Sequence, residues 1–79
     1  MKDKLKEYIE QELLSEQKEI HFTDNLLGSG LIDSLGFVKM VQFLEKSFDV
    51  TIPPKDMLIE NFLSIDAVEK YMNQLIKNN

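Results

Sequence analysis

The chain has 79 residues, a formal net charge of −5, 43% apolar residues and no cysteine. That describes one small domain, near the size at which a single core becomes marginal, yet too apolar for a disordered tail. The acidity argues against nucleic acid, whose affinity rests on Lys and Arg neutralising phosphates. Without cysteine there is neither a disulfide framework nor a thiolate metal site, and any thiol chemistry needs a borrowed sulfur. No apolar run approaches the roughly 20 residues of a membrane span. The start Met1-Lys2-Asp3-Lys4-Leu5 lacks the apolar core of a signal peptide. A cytoplasmic location is therefore expected.

In chain order, Lys2 to Glu16 reads as an amphipathic helix, with Leu5, Tyr8, Ile9 and Leu13 recurring at three- and four-residue steps. From Gln17 to Asp33 the helical period disappears, and Thr23, Gly28, Ser29 and Gly30 mark irregular structure. So long a connection in a small domain is often functional. Its apolar residues Ile20, Phe22, Leu26, Leu27 and Leu31 are expected to pin it across the bundle. Ile20-His21-Phe22 alternates as a strand would but is too short to assign.

The second helix is predicted from Ser34 to about Phe48, with Leu35, Val38, Val41, Leu44 and Phe48 as its buried stripe. Asp33 is the expected N-cap, and Ile32 and Phe37 then hold the N′ and N4 positions of a hydrophobic staple. Pro53-Pro54 forces the preceding Val50-Thr51-Ile52 into an extended linker. Met57 to Phe62 fits one short helix of one or two turns. The last helix starts at the N-cap Ser64, with Leu63 and Val68 as a second staple and Asp66 at the positive helix end. Ile65, Val68, Met72, Leu75 and Ile76 are its expected buried stripe. The pattern predicts a single all-α domain over 1–79: an antiparallel helical bundle of three longer helices and one short one, with a long first loop.

The stretch Gly30-Leu31-Ile32-Asp33-Ser34-Leu35 stands out. A serine at N1 is ordinary in a first helical turn. It also projects outward, where an attached phosphate would meet free N–H groups and the positive end of the helix dipole. Gly36 costs about 1 kcal/mol against alanine inside a helix, and is expected to clear space near the serine or simply to be tolerated at N3. A catalytic serine fits poorly. The G-x-S-x-G elbow needs glycine at 32, where Ile32 stands. His21 is the only histidine available as a base, and the chain is too short for a hydrolase sheet and oxyanion hole. His21 reads as a loop residue near the core without a role. A calcium loop beginning at Asp24 fails on spacing, with Leu35 at the position of the bidentate acid.

This hexapeptide resembles the G-x-x-D-S-L signature of the acyl carrier protein family, which includes peptidyl, aryl and D-alanyl carriers. The likeness extends over nearly the whole chain. Phe48-Asp49-Val50-Thr51-Ile52-Pro53 is similar to the segment after that family's second helix, and Glu60-Asn61-Phe62-Leu63-Ser64-Ile65 to the E-N-F-x-S-I stretch of many stand-alone carriers. The resemblance implies that Ser34 is esterified by 4′-phosphopantetheine, transferred from coenzyme A by a phosphopantetheinyl transferase, with Asp33, Leu35 and Gly36 forming its recognition motif. The arm's thiol would hold an acyl or aminoacyl group as a thioester. The domain itself would be a monomeric carrier and not an enzyme. An adenylating ligase or acyltransferase would load it, and acyl-accepting enzymes would unload it.

The chain departs from the fatty-acid carriers, whose second helix is markedly acidic. Residues 34–48 hold Lys39, Lys46 and one acid, Glu45, a net +1 within a chain of −5. The order Asp-Ser-Leu-Gly instead resembles D-alanyl and some free-standing peptidyl carriers. Fatty-acid synthesis, or an unmodified helical binding module, is the alternative. The surface expected to meet partners is Phe37, Val38, Lys39, Met40, Val41 and Gln42; exposed apolar residues there would form a docking patch, with Phe43 a further candidate.

Overall fold

The computed structural model describes residues 1–14 and 18–78. Helix α1 (Lys2–Tyr8) runs into a π-helical turn, Ile9–Leu13. Helix α2 spans Ser34–Phe48 and helix α3 spans Ile65–Lys77, with 3₁₀ turns at Pro54–Asp56 and Ile59–Asn61 between them. Among the described residues there is no strand. Leu5 and Ile9 from the first element, Met40, Val41 and Leu44 from α2, and Ile65, Val68 and Met72 from α3 meet in one core around Phe62.

The first helix ends sooner than its apolar pattern suggests. Leu14 is already extended (φ −86°, ψ 137°), and its N–H closes the π turn onto the Ile9 carbonyl at 3.2 Å. An α-helix would splay the adjacent Leu13 and Leu14 about 100° apart, whereas here both lie against the core. Glu16, the expected helix end, and Gln17 lie outside the described residues.

The long connection is pinned as its composition predicts. Ile20 and Leu26 are fully buried, and Phe22, Leu27 and Leu31 are half-buried against the core. Three of its backbone groups find partners in the segments it crosses. The Ile20 N–H donates to the Glu10 carboxylate (2.7 Å), the Leu26 N–H to the Leu63 carbonyl (2.7 Å), and the Phe22 carbonyl accepts from the Asp66 N–H (3.0 Å). His21 is exposed rather than near the core, and its backbone N–H donates to Asp24 at 2.9 Å.

Between α2 and α3, the expected short helix over Met57–Phe62 is a single 3₁₀ turn, preceded by another that starts at Pro54. The Asn61 amide donates to the Asp56 carbonyl at 2.9 Å and ties the two turns together. Phe62 then enters the core, edge-on to Phe37 (centroids 5.3 Å apart, 80°) and tilted against Tyr71 (5.5 Å). Ser64 caps α3 by accepting from the Ala67 N–H at 3.1 Å. On α3 the buried stripe includes Tyr71 in place of Ile76, which is exposed, while Leu75 is half-buried. The phenol can be buried because it donates to the Asp56 carboxylate at 2.7 Å.

Candidate functional site

Helix α2 begins where local chemistry says it should. Asp33 is extended, and its Oδ1 accepts the Gly36 N–H at 2.8 Å, satisfying one of the unpaired donors of the first turn. Ile32 before the cap is buried and Phe37 after it is half-buried, in the two staple positions. Ser34 is therefore fixed at N1 of a 15-residue helix whose first turn carries no acid, and its side chain is exposed.

Gly30 lies in the left-handed region (φ 81°), and a Cβ built there would meet nothing within 4 Å, so the approach to Ser34 on that side is open. Gly28 has a different role: its N–H is held by the Asn25 side-chain oxygen at 2.7 Å, and a Cβ would run into that side chain. Gly36 does not clear room for an incoming group. It is buried, and the place of its missing Cβ is already taken by Ile32 Cγ2 at 2.7 Å and Asp33 Oδ1 at 3.3 Å. The glycine lets the residue before the cap pack against the first turn.

A shallow groove of about 570 Å³ borders the serine, with walls from Leu27, Ile32, Phe37, Val38 and Ile59. Leu27 and Ile59 were not expected in this site. The signal for Ile59 was the run Met57-Leu58-Ile59 just after two prolines, three apolar residues with no helical stripe to join. Ile59 is 67% exposed.

The predicted docking residues separate into two groups. Val38, Lys39 and Gln42 are exposed, and Phe37 sits half-buried on the groove wall. Met40 and Val41 are buried and cannot offer surface to a partner, because the core-facing side of α2 is Gly36, Met40, Val41 and Leu44. Leu35 and Val38, expected in the buried stripe, are instead 62% and 49% exposed. Phe43 is half-buried, stacked on Tyr8 with centroids 4.1 Å apart. Among the described residues no group of three His, Asp or Glu could hold a metal ion, and no helix is long and apolar enough to cross a membrane.

The model of the family described as "Phosphopantetheine attachment site" matches residues 3–72. The chain belongs to that family, whose members carry covalently attached 4′-phosphopantetheine. It is a phosphopantetheine carrier domain built from helices. No curated protein matches the chain significantly.

Proposed function

We propose that Ser34 is the attachment point of the 4′-phosphopantetheine arm, and that the protein is a monomeric, cytoplasmic acyl or aminoacyl carrier rather than an enzyme. The observation that carries this reading is the placement of Ser34: an exposed hydroxyl at N1, on the open rim of an apolar groove, within the stretch that matches the family. The residues present fit a phosphate ester there. The first turn of α2 offers free N–H groups and the positive end of a 15-residue helix, with no acidic side chain inside that turn. When bound, the arm supplies a terminal thiol that holds the cargo as a thioester. Asp33 keeps the helix start in place, Gly30 leaves the serine accessible to the phosphopantetheinyl transferase, and Leu35, with Gly36 behind it, completes the recognition motif.

The weakly charged α2 and the order Asp33-Ser34-Leu35-Gly36 favour an aminoacyl, nonribosomal-peptide-like, D-alanyl or other specialised cargo over fatty-acid synthesis. An adenylating ligase or acyltransferase loads such a carrier, and acyl-accepting enzymes unload it. Intact-protein mass spectrometry after incubation with coenzyme A and a broad-specificity phosphopantetheinyl transferase tests the attachment. Wild type gains one phosphopantetheinyl mass, and Ser34→Ala gains none while keeping its helical circular dichroism. A full gain on Ser34→Ala overturns the assignment, and wild type that stays at its unmodified mass favours the unmodified binding module. Efficient extension of the loaded protein by fatty-acid synthase enzymes would count against the proposed cargo class.

A further inference from the structure

The exposed side of α2 differs in charge from the rest of the molecule. Its residues are Ser34, Leu35, Val38, Lys39, Gln42 and Lys46, on one arc of the helix, and none is acidic. Glu45 falls within this arc, between Ser34 and Val38, but is half-buried and committed internally, its carboxylate accepting the Ile52 N–H at 2.8 Å. Of the acids nearest to it in the chain and across the groove, Asp33 is engaged as the cap, Glu60 neighbours Ile59, and Asp49 lies past the end of the helix. Helix α1 and its π-helical turn, stacked on α2 through Tyr8 and Phe43, add the exposed Glu7 and Glu12. A chain of net charge −5 thus presents two exposed lysines, neither in an ion pair among the described residues, on the helix that begins at Ser34. Leu35, Val38 and, across the groove, Ile59 supply an exposed apolar centre next to them.

We propose that this face docks a helical segment of a partner protein that places apolar side chains among Leu35, Val38 and Ile59 and carboxylates against Lys39 and Lys46. The inference deepens the reading of Ser34 as the attachment point, since whatever is attached there must be received beside this face. Charge complementarity sets the partner's chemistry. An apolar patch of this kind supplies the contact, and the flanking charges select which partner approaches and in what register. A basic partner surface would place like charges against both lysines. A second copy meeting the face isologously would do the same. Two lysines also fall short of the cluster of about 4–8 that anionic membrane surfaces attract.

Two synthetic amphipathic helical peptides sharing one leucine face, one flanked by glutamates and the other by lysines, test this against the ¹⁵N-labelled unmodified full chain. The glutamate peptide is expected to bind roughly tenfold more tightly at low ionic strength, shifting the amide signals of Leu35, Val38, Lys39, Gln42 and Ile59. The preference should shrink once salt brings the screening length to about 10 Å, near 0.1 M. Lys39→Glu/Lys46→Glu reverses the preference, and Leu35→Gln/Val38→Gln loses binding of both peptides with an unchanged circular dichroism spectrum. Equal or tighter binding of the lysine peptide, shifts confined to other faces, dimerisation through this face by sedimentation, or no binding of either peptide at about 1 mM overturns the proposal. Because the readout uses unmodified protein, a failure here leaves the mass-spectrometric result on Ser34 untouched, and the reverse also holds.

Discussion

Ile32 Cγ2 lies 2.7 Å from where the Cβ of a side chain at Gly36 would stand. The methyl belongs to a β-branched, buried residue held just before the cap, so it cannot swing aside as the tip of a long side chain could. Two effects oppose each other in Gly36→Ala. Helix propensity favours alanine by about 1 kcal/mol, and overpacking beside a fixed methyl costs about 1–3 kcal/mol. Overpacking wins, so the variant is expected to lose about 1 kcal/mol in urea denaturation. Ile32→Leu has no Cγ2 branch, so combining it with Gly36→Ala should recover part of that loss. Additive losses in the double variant would rule out the contact as the cause.

The other end of α2 carries a correctable strain. Asp49 adopts φ 52°, ψ 50°, the left-handed conformation that usually belongs to glycine at a helix end, while its N–H satisfies the Glu45 carbonyl. Its carboxylate also sits at the negative end of the helix dipole. Asp49→Gly relieves both and loses only some unfolded-state entropy. A gain of about 0.5–1 kcal/mol in thermal or chemical unfolding is expected, with the α2 spectrum unchanged. A loss of stability would mean that the Asp49 side chain makes a favourable interaction that outweighs its backbone strain.

Both helix starts were legible in the sequence because capping is local chemistry: Asp33 reaches only to Gly36, and Ser64 only to Ala67. The rotation of α2 about its axis was not. Apolar side chains at 35, 37, 38, 40, 41, 43, 44 and 48 contain two overlapping stripes at helical spacing, and periodicity alone cannot choose between them. The choice fell to Gly36, whose bare backbone admits Ile32 and draws Met40, Val41 and Leu44 inward with it. Leu35 and Val38 were left outside, which is the kind of departure from a simple pattern that functional surfaces produce. The shape of the segment after Pro53-Pro54, a pair of 3₁₀ turns, is not legible for another reason. Its shape depends on Asn61 reaching back to Asp56 and on Tyr71 of α3 reaching down to the same residue, and neither contact has a local signature.

That second contact is open to a direct test. The Tyr71 hydroxyl donates to Asp56 Oδ2 at 2.7 Å from a ring that is 8% exposed. Burial, followed by the hydrogen bond to Asp56, pushes the phenol well above its ordinary value of 10.0. A raised folded-state pKa contributes stability that is complete below the unfolded value and fades as pH climbs above it. Stability should therefore fall above about pH 10, and Tyr71→Phe should flatten that fall. The variant should also lose about 1–2 kcal/mol at neutral pH, since it removes a hydrogen bond to a carboxylate. An alkaline limb that persists unchanged in Tyr71→Phe would assign it to another group.

Acid acts on a different contact, through Glu10. Its carboxylate accepts the Ile20 N–H at 2.7 Å and meets Lys6 Nζ at 3.1 Å, and these two partners, the amide first, hold its pKa below the ordinary value of 4.5. A depressed folded-state pKa contributes stability that is present above the unfolded value and is lost as pH falls through the lower, folded one. The expected consequence is local, because Ile20 is where the long connection first enters the core. Hydrogen exchange at the Ile20 amide should stay slow from neutrality down to the ordinary carboxylate range. Below it, opening should become more frequent than at Leu26, whose N–H is held by a neutral carbonyl. Glu10→Gln keeps an acceptor for the amide but has no proton to gain, so its Ile20 opening should lose the acid dependence. Added salt weakens only the Lys6 contact, a half-buried pair within one helical stretch and of small worth, and should leave Ile20 protection nearly unchanged at neutral pH. If Ile20 and Leu26 open together at every pH in both proteins, the Glu10 carboxylate is not what anchors the connection.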